Sequence, residues 1–381
     1  MVVFITIFLS LYAAVNYYIF VHGWQALEGL HQLKVVYLII FLIATLSFLT
    51  AKFMEKILSP LLYDILLGIG SFWFAFMLYF FLSILLIDIF RLTCLIFHFH
   101  PAYINQNYLI IKHLTILAVV IIVSIIITAG YINTRIFSVK TLNLELRKGS
   151  GNLKELNAVL ISDVHLSPIN NGANLANIVN KINELHPDII FIAGDLVDDN
   201  AQILEERNIG SALRDFKSKY GVYAISGNHE FINGIDGCVK YMRDYGLNLL
   251  RDSVVIIDNS FYLVGRDDRS NRQFANGGRK TLSELLKGLD TSVPIILMDH
   301  TPFGLDEAMN SKVDLQLSGH THHGQMFPLN LITKMIYEKS WGYLKKGVTQ
   351  YYISCGVGTW GPPVKIGSPS EIVNLKIKFV K

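Results

Sequence analysis

Five short polar clusters hold nearly all the side chains in this 381-residue chain that can do chemistry: Asp163-Val164-His165, Gly194-Asp195, Gly227-Asn228-His229-Glu230, Asp299-His300 and Gly319-His320-Thr321-His322. Each closes an apolar run. Their donors are carboxylate, amide and imidazole with no cysteine among them, which suits Mn, Fe, Zn or Mg better than a structural thiolate site. Seven candidate ligands are too many for one tetrahedral ion and about right for two ions sharing a bridging carboxylate. Two metals a few ångströms apart clamp the attacking and leaving oxygens of a phosphoryl displacement.

Such clusters need strands to hold them. Leu156–Ser162 and Ile189–Ala193 are apolar and rich in β-branched residues, and they are too short for helices. Runs of this kind suit strands buried on both faces of a parallel sheet. Asn174–Leu185 and Ala201–Lys217 carry apolar residues at helical spacing, with Pro187 marking the exit from the first. Each cluster therefore falls at the carboxyl end of a strand, the edge where open α/β sheets bind ligands. Glycines 194, 227 and 319 let the backbone turn and approach closely. Val254–Asp258 and Phe261–Gly265 predict a hairpin, and Val293–Met298, Asp314–Leu317, Tyr351–Ser354 and Ile372–Phe379 predict further strands. Taken singly, Asp163 also reads as a helix cap and His165 as a loop histidine. Asp198, Asp199, Glu230 and Asp299 read either as supports for the ligands or as ordinary loop and turn carboxylates. Arg266, just after a strand, is a candidate for bidentate contact with a substrate phosphate, beside its reading as a surface residue.

In order and identity the clusters resemble the calcineurin-like metallophosphoesterase superfamily (D-x-H, G-D, G-N-H-[DE], H, G-H-x-H), over residues 156–381. The resemblance implies an α/β fold, a four-layer αββα sandwich. It implies one ion on Asp163, His165, Asp195 and His322, and another on Asp195, Asn228, His300 and His320, with Asp195 bridging. Manganese is the foremost expectation for both ions, and the same donors accept Fe, Zn, Mg or Co. His229 is then no ligand but a catalytic group beside the phosphate. The run Ser354-Cys355-Gly356-Val357-Gly358, then Pro362-Pro363-Val364 and Ser370-Glu371-Ile372, resembles the membrane-associated branch of that superfamily. One position departs from it. His323 stands where the branch carries glycine, so a side chain there is expected to narrow the mouth or touch substrate.

The first 140 residues are of another kind. The chain is 52% hydrophobic with mean hydropathy +0.41, and the excess lies at the front. Val2–Val21, Val35–Thr50, Leu66–Ile87 and Leu114–Ile132 are each read as crossing about 30 Å of hydrocarbon. Tyr17, Tyr18, Trp24 and Tyr131 near their ends fit interfacial anchoring. The first stretch lacks a basic leader and a small-residue cleavage site, so it reads as an uncleaved span. The expected organisation is a transmembrane region over 1–135, a juxtamembrane linker over 136–155 and a metallophosphoesterase domain over 156–381. Lys52, Lys56, Arg135, Lys140, Arg147 and Lys148 fall on the side of the termini, against Lys34, Arg91 and Lys112 opposite. That bias predicts a multi-pass inner-membrane protein with its catalytic domain on the cytoplasmic face. Cys94, Cys238 and Cys355 form no paired framework. A net charge of +3 without a basic stripe disfavours nucleic acid, and no feature marks a protein partner. Asp64 and Asp88 sit only near the ends of the third stretch, which gives little ground for a transporter.

An enzyme standing on a membrane gains substrates whose phosphate lies at the headgroup plane. Lys140, Arg147, Lys148 and Lys154 are expected to hold anionic headgroups nearby. The chain as a whole resembles the membrane-spanning pyrophosphatases of lipid A synthesis. That resemblance implies hydrolysis of UDP-2,3-diacylglucosamine to UMP and 2,3-diacylglucosamine 1-phosphate. The alternatives are a phosphatase or phosphodiesterase on another phospholipid, on an isoprenoid diphosphate or on a soluble diester.

Overall fold

The structure is a computed structural model, and it describes residues 2–99, 102–149, 151, 153–170, 172–275 and 277–380. The chain divides into two compact units, at Tyr131 and Ile132. In the first, among the described residues, four helices are long and apolar enough to cross a membrane: Thr6–Ala26, His31–Phe53, Pro60–Ile96 and Tyr108–Asn133. All four overlap the expected spans, and the last three run past them at both ends. Pro60–Ile96, at 37 residues, is about 55 Å long and exceeds the hydrocarbon core at 1.5 Å per residue. Its start is set by Pro60 behind Ser59, whose hydroxyl accepts the Leu62 amide at 3.4 Å. Tyr12, Ile19, Phe41, Ala44 and Trp73 pack the first three helices together. The polar Asn16 is satisfied there, accepting from Trp73 Nε1 at 2.9 Å and donating to the Tyr12 carbonyl at 2.8 Å.

The second unit holds two six-stranded sheets. The first runs in the order β1 (Phe137–Leu146), β12 (Ser370–Phe379), β2 (Glu155–Ile161), β3 (Ile189–Ile192), β4 (Val222–Ala224), β5 (Asn248–Leu249). The second runs β10 (Gly342–Lys346), β11 (Thr349–Ile353), β9 (Leu315–Ser318), β8 (Ile295–Met298), β7 (Phe261–Gly265), β6 (Ser253–Ile257). Strands β2 to β5 are parallel, as are β7, β8, β9 and β11, while β6–β7 is the expected antiparallel hairpin. The two inner faces meet through Leu160, Phe191, Leu263, Met298, Leu317 and Leu375. Helices Gly172–Asn183 and Ile235–Asp244 cover the outer face of the first sheet through Leu175, Ile178, Ile182 and Met242. Leu282, Leu285, Leu305 and Ala308 cover the second. The expected helix–sheet–sheet–helix layering is present.

Two readings need correction. Phe137–Leu146, expected within a linker, is a strand paired to β12 along all ten residues, with Leu144 and Leu146 buried. Ala201–Lys217 is not one helix but a short one, Ala201–Glu206, followed by a 3₁₀ turn at Ser211–Asp215. Asn208, at φ 52°, breaks it.

Candidate metal centre

The donors stand at the carboxyl ends of β2, β3, β8 and β9, and on the turn after β4. Adjacent turns lock to one another. The Asp163 amide donates to the Gly194 carbonyl at 3.0 Å, and the His165 amide to that of Asp195 at 3.1 Å. The loop after β11 joins them, with Gly358 N donating to the Asp163 carbonyl at 2.9 Å. Five donor residues sit at positive φ: Asp163 (53°), His165 (52°), Asp195 (53°), His320 (72°) and His322 (46°). Left-handed backbone at non-glycine residues costs free energy, and it clusters where surrounding structure imposes a site geometry. Close approach explains the glycines. A Cβ on Gly227 would lie 2.2 Å from Asp195 Oδ1, and one on Gly319 would lie 2.4 Å from Asp163 Oδ2.

The donors form two groups. Asp163, His165 and His322 converge, with His165 Nε2 2.9 Å from His322 Nε2 and His322 Nε2 3.3 Å from Asp163 Oδ1. Asp195, His300 and His320 form the other, and Asn228 Oδ1 lies 2.8 Å from His320 Nδ1 and 3.3 Å from His300 Nε2. Asp195 Oδ2 faces both, 3.0 Å from His300 Nε2 and 3.9 Å from His165 Nε2. All seven predicted ligands are thus brought together. Asp163, His165, Asp195, His300 and His322 are buried, while Asn228 and His320 keep some exposure toward the mouth.

This donor set fits cations. The His300 ring donates Nδ1–H to the Ala193 carbonyl at 2.7 Å, which turns Nε2 toward Asp195 and the site. Burial lowers His322, helped by His165 and Lys365, and burial lowers His320, helped by His300, so both rings are neutral. Two ring nitrogens facing each other across 2.9 Å with an adjacent carboxylate suit a shared cation better than a hydrogen bond. Burial alone would push Asp195 up. His300, His229 and His165 outweigh it and hold the carboxylate well below its usual range. Burial likewise opposes charge on His300, and Asp195, Asp163 and Asp268 raise it well above its ordinary value.

His229 stands beside this cluster, its ring 4.7 Å from that of His165. Its Nδ1 meets Asp198 Oδ1 at 2.5 Å, which leaves Nε2 for a ligand. Burial works against its charge, but Asp195 and Asp198 raise its pKa to about 9. Asp198 also lies 3.6 Å from His165 Nδ1, outside hydrogen-bond reach, so the ring it holds is that of His229. Glu230 is buried and accepts the backbone amides of Asp195, Val197 and Gly227 at 3.2, 2.9 and 2.7 Å, tying the β3 and β4 turns together. Lys365, absent from the sequence reading, is buried behind the Asp163 turn. Its ammonium donates to the carbonyls of Cys355, Gly356 and Pro369. Only its place after Pro362-Pro363-Val364 signalled it.

Four expected substrate or headgroup contacts are spent elsewhere. Arg266 is 3% exposed and donates to Asp299 Oδ2, Glu307 Oε2 and the Lys280 carbonyl. Asp299 also accepts Arg279 at 2.8 Å, so a buried ion network claims the guanidinium that was expected to reach a phosphate. His323, at φ 49°, turns its ring onto Ser340 Oγ at 3.0 Å and against Trp341 at 5.2 Å instead of narrowing the mouth. Lys140 lies over the Trp341 and Tyr352 rings, and Lys148 pairs with Asp314 at 2.8 Å. The mouth is edged instead by Trp360, 6.1 Å from the His229 ring, and Tyr337, 6.1 Å from the His320 ring.

Comparison with known proteins agrees with this geometry. Residues 156–324 match the family model described as calcineurin-like phosphoesterase. An uncharacterized metallophosphoesterase of Helicobacter pylori is 33% identical over 229 residues, covering 59% of this chain and 60% of that protein. A zebrafish (Danio rerio) transmembrane protein with metallophosphoesterase domain is 32% identical over 276 residues, 69% of this chain and 62% of its own length. An uncharacterized metallophosphoesterase of Aquifex aeolicus is 34% identical over 236 residues, 61% of this chain and 88% of that protein. The chain spans about three fifths of the length of the Helicobacter and zebrafish relatives. Four membrane-length helices make it a membrane protein. With the donor clusters in family order at the strand ends of two packed sheets, the chain belongs to the calcineurin-like metallophosphoesterase family.

Proposed function

We propose that the chain is a dinuclear metallohydrolase of the membrane surface that cleaves the diphosphate of UDP-2,3-diacylglucosamine, giving UMP and 2,3-diacylglucosamine 1-phosphate. The observation that carries the hydrolytic part is the pair of donor groups meeting at Asp195. Asp163, His165, Asp195 and His322 would hold one divalent ion, manganese foremost, and Asp195, Asn228, His300 and His320 the other. Such ions supply Lewis acidity and a water acidified toward neutral pH. The protein's own part is positional. Glu230 and Lys365 fix the turns that aim the donors. His229, steadied by Asp198, offers a proton or hydrogen bond to phosphate or leaving group. The lipid part rests on one chain combining this site with four membrane-length helices. It extends to an inner-membrane location with the site on the cytoplasmic face.

A second reading, hydrolysis of another phospholipid or isoprenoid diphosphate, is favoured by the zebrafish relative, since animal membranes hold no lipid A. One experiment separates the two. Purified full-length protein is given UDP-2,3-diacylglucosamine, a phospholipid and a soluble aryl phosphodiester in parallel, with Mn and with chelator, and the products are read by mass spectrometry. The leading reading expects UMP from the first substrate in the presence of Mn alone. Cleavage of the phospholipid with the acylated nucleotide untouched would end it and leave the second. No Mn-dependent cleavage of any ester would end both.

A further inference from the structure

The loop that carries His320 and His322 runs directly into helix Leu329–Ile336, in which no residue is buried. Leu331, Ile332, Met335 and Ile336 recur at the spacing of one helical face, and all four are exposed, Met335 to 86%. The apolar surface continues on the same loop. Phe327 is exposed, and the exposed Trp360, on the loop after β11, is tied to this one by its amide, which donates to Gln325 Oε1 at 2.8 Å. Monomeric soluble surfaces scatter such residues singly; contiguous apolar patches mark interaction sites. Lys334 on the helix is exposed and Lys339 just beyond it is partly so, and neither forms an ion pair among the described residues. An apolar helical face with lysines on its flank has the composition of an interfacial helix, whose apolar side enters the headgroup–acyl boundary while its cations meet anionic lipid.

We infer that helix Leu329–Ile336, with Phe327 and Trp360, docks on the surface of an anionic bilayer. The occupant follows from two features: unpaired lysines complementary to anionic headgroups, and a chain whose own membrane-length helices keep a bilayer at hand. Docking has a consequence for the site. Trp360 and Tyr337, the residue capping this helix, edge the mouth beside His229 and His320, so the docked face brings the donors to the headgroup plane. The inference goes beyond the substrate reading, because it holds whichever phosphate ester is cleaved.

The test uses the full chain with Cys94→Ala, since Cys238 and Cys355 are buried. A bimane label is placed at Met335→Cys or, as a control on the outer helix layer, at Lys240→Cys. The protein is reconstituted in vesicles of phosphatidylethanolamine and phosphatidylglycerol whose acyl chains are brominated, and in matching phosphatidylcholine vesicles. Bimane at 335 should be blue-shifted and quenched several-fold more than at 240 in the anionic vesicles. Quenching should weaken in phosphatidylcholine and on adding Lys334→Glu with Lys339→Glu. A label at 335 as wet and unquenched as the one at 240 would overturn the proposal. So would a blue shift that disappears as protein is diluted in lipid, since a second copy would then cover the helix. Equal quenching in both lipids, untouched by the lysine changes, would overturn the anionic surface. Because the readout is quenching, its failure is separate from failure to turn over the acylated nucleotide.

Discussion

At Asp195 one carboxylate oxygen accepts the His229 amide at 2.9 Å, so the other is left to face His300 and His165. Asp195→Asn keeps the shape but loses the negative charge a bridge needs. Its ion content should fall below two per chain by mass spectrometry, with turnover lost in parallel; a variant with both ions and full turnover would sink the shared bridge. His229→Ala should behave differently, keeping both ions while kcat falls on the order of 10²–10⁴-fold. Loss of ions with activity would make His229 a ligand. Its charge also has a signature in chelated protein. Its folded pKa is raised from 6.5 to about 9, so the stability it contributes is complete below pH 6.5 and is lost as pH rises through about 9. Chelated wild type should therefore lose more melting temperature between those limits than chelated His229→Ala. The donors themselves were legible in sequence because few residue types bind metals and their order is distinctive. Lys365 and the capture of Arg266 were not. Lys365 acts through carbonyls up to ten residues away and Arg266 through carboxylates 33 and 41 residues on, contacts that exist only once the chain has folded.

Strand β1 illustrates what element-scale pattern conceals. Phe137 and Val139 pack against the outer core of the first sheet, whereas Leu142, Leu144 and Leu146 face the core between the sheets. The buried face changes midway, so the alternation that betrays a half-buried strand is broken and the segment reads as a linker. The short buried strands β3 and β8 were legible because both of their faces are covered and their runs are uniformly apolar, and β2 was legible through its apolar second half at 158–161. The helix at Ala201 was overextended because spacing alone does not register a residue forced to positive φ at Asn208. A fragment starting at residue 150, though it holds every metal donor, would strip β1 from β12 and open a long unpaired edge. It should aggregate or melt well below a fragment of residues 132–381, which keeps the whole compact unit. Size-exclusion chromatography and thermal unfolding of the two would decide; equal behaviour would mean that β1 adds nothing to the fold.

At the scale of the whole molecule, one membrane span would suffice for stable attachment, yet four membrane-length helices precede the hydrolytic unit. The chain's gain from such an investment depends on its substrate. A soluble diester reaches the site by diffusion, so the 132–381 fragment and the full chain should cleave an aryl phosphodiester with similar kcat/KM. An acylated nucleotide stays in the bilayer, where attachment turns encounter into a confined search at high effective concentration. For UDP-2,3-diacylglucosamine in vesicles, the full chain should therefore exceed the fragment by on the order of 10²-fold or more at equal protein concentration. The comparison is informative because both proteins carry the same donors, the same His229 and the same apolar helix, leaving attachment as the variable. Equal rates on the lipid would show that the membrane unit does not present substrate and would reduce it to an anchor. A full chain active only on the soluble diester would leave the metal centre in place and remove the acylated nucleotide as its substrate.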